Sequence, residues 1–264
     1  MPVELFHRLV GEPSQPPLIV LHGLLGSSRN WATTARDLAQ THAVYLLDLR
    51  NHGQSPHATS MQYADLAADV AHWLDTQAME TVDLIGHSLG GKVAMRLACD
   101  TPERARRLVV ADIAPRDYPP HFAQEFAALN ALDLTSLQRR KAAEDALEAA
   151  GIDDWAMRAF LLTNLVGNAD EGFRWQVNLE ALTQALEVVA GSSLTASHRF
   201  EGPALFVRGA QSNFVRDADQ AVIRKHFPVS RLETIADAAH NVHVQNRNAF
   251  VQTVQRFLAG DAEA

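Results

Sequence analysis

Short apolar runs alternate with helical patterns along this chain, and that alternation limits its fold more than any other feature. Leu18–Leu21, Ala43–Leu47, Val82–Ile85, Leu108–Ala111, Ala204–Val207 and Leu232–Ile235 read as buried strands. Helical patterns lie between them, over roughly Trp31–Gln40, Tyr63–Thr76, Leu89–Asp100, Asp217–Phe227 and Arg247–Leu258. Such an order predicts a mostly parallel sheet covered by helices, with Val3–Val10 pairing antiparallel at its edge. Polar residues follow the strands directly: His22-Gly23, Asp48, Gly86 and Asp112. Ligands bind at the carboxyl ends of strands in open α/β sheets, so this placement points to one site.

The alternation breaks between about Arg116 and Arg199. That stretch is almost wholly helical in pattern, with prolines at 115, 119 and 120 before it and Gly202-Pro203 after it. It is expected to form a helical cap, residues 116–200, inserted into a core made of residues 1–115 and 201–264. Phe122, Phe126, Trp155, Phe160, Phe173 and Trp175 either wall an apolar pocket or hold the cap together.

The 264 residues are 47% hydrophobic and 20% charged, as in an ordinary globular protein. No apolar stretch is long enough to span a membrane, and Met1-Pro2-Val3-Glu4-Leu5 has the features of no secretory signal. Cys99 is the only cysteine, so no intrachain disulfide forms, which suits a cytoplasmic location. A net charge of −8 argues against nucleic acid as a partner. His240-x-x-His243 is too slight to define a metal site and no phosphate-binding glycine loop is present, so no metal and no cofactor are expected.

Gly86-His87-Ser88-Leu89-Gly90 fits G-x-S-x-G. Chance supplies that pattern in a chain of this length about once in ten, so context must decide. A strand precedes it and a helix follows, the setting of a nucleophile elbow, with Ser88 at the turn. Serine needs a base, and chain order of nucleophile, acid, then histidine favours His240 after the last strand, with His243 as its rival. The other histidines read as structural, His87 packing beside the oxyanion loop. The acid usually follows the penultimate strand as G-x-x-D, but here Gly209-Ala210-Gln211-Ser212 puts serine there. Asp112, at the end of the strand beside the nucleophile strand, is the better choice. Asp217 and Asp219 are its rivals, and Ser212 is expected to join the same network. Oxyanion donors are expected from the backbone N–H of Leu89 and of Leu24, the latter in the loop His22-Gly23-Leu24-Leu25-Gly26, where glycine lets the backbone come close to ligand.

His22–Ser27, Asp48-Leu49-Arg50-Asn51-His52-Gly53-Gln54-Ser55 and Gly86–Lys92 together resemble the α/β-hydrolase superfamily. Asp112-Ile113-Ala114-Pro115, with Ser212 at the usual acid position, narrows the resemblance to the YbfF-type bacterial esterases. It departs at Ala238-Ala239, where glycine often precedes the histidine. The expected fold is the α/β-hydrolase fold: a mostly parallel eight-stranded sheet, helices on both faces and the inserted cap. The resemblance implies cleavage of short to medium acyl esters, or of acyl-CoA thioesters, with Asp112 as acid. Asp48 and Arg50 read as a buried or loop-fixing pair. For thioesters, Arg29, Arg50, Arg116, Arg208 and Arg216 are the candidates to meet CoA phosphates. Carbon–carbon bond hydrolysis and a non-catalytic binding role on the same scaffold are the remaining readings.

Overall fold

The structure is a computed structural model that describes residues 1–120 and 122–260; His121 in the expected cap and residues 261–264 of the expected core lie outside it. In chain order the elements are β1 (His7–Val10), β2 (Pro17–Leu21), α1 (Ala32–Leu38), β3 (Ala43–Leu47), α2 (Tyr63–Thr76), β4 (Val82–His87), α3 (Leu89–Asp100) and β5 (Ala105–Ala111). There follow α4 (Ala123–Ala131), α5 (Arg140–Ala149), α6 (Trp155–Leu162), β6 (Leu165–Asn168), β7 (Gly172–Trp175), α7 (Leu179–Gln184) and α8 (Leu186–Ala190). The chain closes with β8 (Ala204–Gly209), α9 (Gln220–His226), β9 (Ser230–Ile235), α10 (Val242–Gln245) and α11 (Arg247–Ala259).

The main sheet has the order β1-β3-β2-β4-β5-β8-β9. Only β1 is antiparallel; the others run parallel. Alternation along each strand sends side chains to two cores. Ile19, Leu21, Leu84, Leu108, Val110 and Phe206 face α2 and α3, while Leu18, Val20, Ile85, Val109, Leu205 and Val207 face α1 and α11. Both faces are therefore covered, which is why the inner strands read as unbroken apolar runs. Among the described residues no helix is long and apolar enough to cross a membrane.

The main sheet has seven strands among the described residues, one fewer than expected. Of the Val3–Val10 run only His7–Val10 pairs in the ladder, and side chains hold two of the amides before it. Asp69 Oδ1 accepts from Val3 N at 2.7 Å, and Ser55 Oγ accepts from Phe6 N at 2.9 Å. The segment between β5 and β8 is also less uniformly helical than its pattern suggests. β6 and β7 form a separate antiparallel hairpin. Asn168 Oδ1 holds its turn by accepting from Asp170 N and Glu171 N, and Gly167 and Gly172 take positive φ at either end. The core of this segment, including Phe126, Leu147, Leu161 and Leu182, is continuous with the α2/α3 side of the sheet.

Candidate active site

β4 runs straight into Ser88, and α3 starts at the next residue. Ser88 has φ 51° and ψ −116°, a region that non-glycine residues avoid. The strain persists because the turn is fixed on both sides. Ser88 N donates to Ala111 O at 3.1 Å, and Ser88 O accepts from Lys92 N at 3.0 Å to open the helix. The turn also has no room for side chains at its flanks. A Cβ on Gly86 would lie 2.2 Å from Gly90 O, and one on Gly90 would lie 2.3 Å from Leu21 O. Two glycines of the motif are thus required by space.

Asp112 stands at the end of β5, also at positive φ (51°), with Asp112 N donating to Val207 O at 2.7 Å. Its buried carboxylate takes three hydrogen bonds. Oδ1 accepts from Gly209 N at 3.1 Å, and Oδ2 accepts from Ser212 Oγ and from His240 Nδ1, the last at 2.8 Å. A carboxylate that only accepts places the His240 proton on Nδ1 and leaves Nε2 with its lone pair, the form a general base needs. His240 is 23% exposed in its side chain.

The rivals are occupied elsewhere. Asp219 pairs with Arg116 at 3.0 Å and with Arg216, and Asp217 pairs with Arg208 at 2.8 Å. His243 is buried and stacks on Trp31, ring centroids 4.0 Å apart and 8° from parallel. Burial holds its imidazole down to about 3, so it stays neutral at ordinary pH.

Ser88, Leu24 and Leu89 line one cavity of about 40 Å³. Ile113, Tyr118, Phe122, Leu186, Val189 and Phe214 give it an apolar wall. Two buried imidazoles fix the loop that carries Leu24. His22 Nδ1–H donates to Gly23 O at 2.8 Å and His22 Nε2 accepts from Leu49 N at 3.0 Å. His52 Nδ1–H donates to Arg50 O at 2.9 Å and its Nε2 accepts from Leu25 N at 3.1 Å. Each ring uses one nitrogen as donor and one as acceptor, so both are neutral. Burial drives the His52 pKa down to about 3 and lowers that of His22. Gly23 sits against the elbow: a Cβ there would be 3.0 Å from His87 Nδ1 and 3.4 Å from Ser88 Cβ. His87 Nε2–H donates to His240 O at 3.0 Å, which ties the backbone of His240 to the elbow.

Phe214 and Lys92 carry more than the sequence suggests. The Phe214 ring stacks on His240, centroids 3.8 Å apart and 20° from parallel, while also lining the cavity. Its backbone is clamped by Ser212 Oγ, which accepts from Phe214 N at 3.2 Å, and by Tyr118 OH, which donates to Phe214 O at 2.7 Å. Nothing local distinguishes Phe214 in sequence. Lys92 offers a signal, a lysine four residues after Ser88 on the buried side of a helix.

Asp48 and Arg50 are buried but do not pair with each other. Asp48 accepts from Ser28 N and Gln54 N, and Arg50 forms a two-pronged pair with Asp69 at 2.5 and 2.6 Å. Of the six aromatic residues 122, 126, 155, 160, 173 and 175, Phe122 alone lines this cavity. Phe126 is buried in the core, and Trp155 is 66% exposed.

The chain matches the family model for the alpha/beta hydrolase fold over residues 16–247. Esterase YbfF of Escherichia coli (strain K12) is 34% identical over 244 residues, which cover 92% of this chain and 92% of that protein. The sn-1-specific diacylglycerol lipase ABHD11 of Mus musculus is 34% identical over 262 residues, 96% of this chain and 84% of the other. A solved marine microorganism esterase superposes with a TM-score of 0.93 at 37% identity, over 97% of this chain and 99% of its own.

Proposed function

Because this chain belongs to the α/β-hydrolase family and is a carboxylic ester hydrolase, we propose that it cleaves short to medium acyl esters through Ser88, His240 and Asp112. The single observation that carries the reading is the 2.8 Å bond from His240 Nδ1 to Asp112 Oδ2, beside a serine held at a strained elbow.

In the first half-reaction Ser88 Oγ attacks the acyl carbon while His240 Nε2 takes its proton. Asp112 keeps the imidazole oriented and stabilises its charged form. The oxyanion of the tetrahedral intermediate is met by the backbone N–H groups of Leu24 and Leu89. His240 then returns the proton to the leaving alkoxide, and the alcohol departs from the acyl-enzyme. In the second half-reaction His240 deprotonates water, which attacks the acyl carbon. Collapse of that intermediate frees the carboxylic acid and restores Ser88.

A cavity of about 40 Å³ holds roughly three waters, which supports the short end of that acyl range. The described residues of 116–200 act as a cap over the described residues of the core, 1–115 and 201–264, since Phe122, Leu186 and Val189 from that segment line the cavity together with Ser88. Ester rather than CoA thioester is favoured by the arginines: of the five candidates, Arg50, Arg116, Arg208 and Arg216 are each paired with a carboxylate, which leaves the exposed Arg29 to meet CoA phosphates. The sole cysteine fits a cytoplasmic enzyme, and the ester chemistry fits a small-molecule substrate. Hydrolysis of p-nitrophenyl acetate and butyrate tests the reading. Wild type should turn both over; equally slow hydrolysis by wild type and Ser88→Ala sinks it.

A further inference from the structure

Lys92 takes no part in the steps above, yet it is buried beside the nucleophile and lines the same cavity. Its Nζ donates to three consecutive carbonyls at the C-terminal end of α8: Val189 O at 3.1 Å, Ala190 O at 3.0 Å and Gly191 O at 2.6 Å. Those carbonyls end a helix, where partial negative charge favours a cation. The rings of Tyr118 and Tyr63 lie 4.8 and 5.7 Å from the same nitrogen. Burial pulls the Lys92 pKa down to about 7, with Asp117 opposing the shift and Arg116 adding to it. All three ammonium hydrogens are taken by backbone, so none is left for a carboxylate on a substrate. Tyr63 OH adds a second donor to Val189 O at 2.7 Å.

The clamped residues are themselves cavity wall. Leu186, Val189 and Ala190 of α8 line the cavity together with Ser88. We infer that Lys92 is a specificity-determining residue: by clamping the C-terminal end of α8 to α3, it fixes the depth of the acyl pocket and keeps that pocket short. The inference rests on the reading that Ser88 cleaves esters in this cavity. Releasing the clamp frees the end of α8 to yield to a longer chain. A purely stabilising lysine, in contrast, alters all chain lengths alike.

The experiment compares kcat/KM for p-nitrophenyl butyrate and octanoate in wild type, Lys92→Met and Tyr63→Phe, each normalised to Ser88 sites titrated with a fluorophosphonate. Lys92→Met should raise the octanoate-to-butyrate ratio by about tenfold, the scale of a changed apolar pocket contact. Tyr63→Phe removes one donor of the clamp and should move the ratio the same way by roughly twofold to threefold. A uniform fall at both chain lengths in Lys92→Met overturns the inference. If Lys92→Met has no titratable serine, Tyr63→Phe decides: a raised ratio supports the clamp and an unchanged ratio overturns it. Wild type and Ser88→Ala turning over butyrate alike is a different failure, that of the esterase reading, and it removes the clamp's role with it.

Discussion

Asp112→Asn keeps the size and shape of the acid while removing its charge, and its effect follows from three contacts. The carboxylate accepts from Gly209 N, from Ser212 Oγ and from His240 Nδ1. An amide has one oxygen. If its NH2 replaces Oδ2, it faces His240 Nδ1 and forces that nitrogen to accept, moving the ring proton to Nε2, where it blocks the serine. If its NH2 replaces Oδ1, it opposes Gly209 N–H, so the first arrangement is the more favourable. The charge matters as well. Two unit charges about 4 Å apart at an effective dielectric of about 20 attract by about 4 kcal/mol. At about 1.4 kcal/mol per tenfold in rate, losing that attraction alone costs about 10³ in kcat. The misplaced proton brings the expected loss to about 10³–10⁴, the scale seen when a triad acid is neutralised. The assay is kcat on p-nitrophenyl butyrate, with thermal melting to show that the fold is retained. Asp217→Asn is the control, because Asp217 is tied to Arg208 and should leave kcat within about twofold. Near-wild-type turnover by Asp112→Asn refutes the reasoning, most plainly if Asp217→Asn or Asp219→Asn loses activity instead.

Gly86→Ala drives a Cβ to within 2.2 Å of Gly90 O, and should cost about 3 kcal/mol with loss of fluorophosphonate labelling; an unchanged melting temperature contradicts that. Ser212→Ala removes one donor from the Asp112 carboxylate without touching the His240 bond, and kcat should fall about tenfold, in keeping with one charge-assisted hydrogen bond; a fall as large as that of Asp112→Asn would make Ser212 more than a supporting group. His52 supplies a pH test. Its imidazole is held at about 3 in the folded state against 6.5 in the unfolded chain. The unfolded chain binds the proton first as pH falls, so the stability His52 contributes is complete above pH 6.5 and is lost as pH drops from there toward about 3. Urea unfolding across that window should show a decline that is shallower in His52→Gln, and parallel profiles for the two proteins count against the assignment.

Much of this architecture is legible in the sequence because a parallel sheet buried on both faces writes itself as apolar runs. The ends of those runs carry Ser88, Asp112 and the His22–Gly26 loop, which the fold brings to one side of the sheet. Asp112 was readable by elimination once Ser212 stood at the customary acid position, and the structure joins the two through Oδ2. The rest depends on contacts across long stretches of chain. Arg50 finds Asp69 on α2 rather than its neighbour in the motif, Asp48. Phe214 acts only because two loops turn its ring onto His240. Residues 165–175 carry too short and too polar a pattern to be told from helix, and Asn168 with two glycines at positive φ folds them into a hairpin instead. Lys92 shows itself as a buried lysine, but its partners lie about a hundred residues on.

Ser88 as the nucleophile is the claim on which the rest depends, and covalent capture tests it most directly. Wild type treated with a fluorophosphonate should gain one adduct mass in intact-protein mass spectrometry, mapping to the peptide that contains Ser88. Ser88→Ala should gain none, and Asp112→Asn should gain it far more slowly than wild type. Labelling of Ser88→Ala at the wild-type rate, or an adduct on any other residue, contradicts the account.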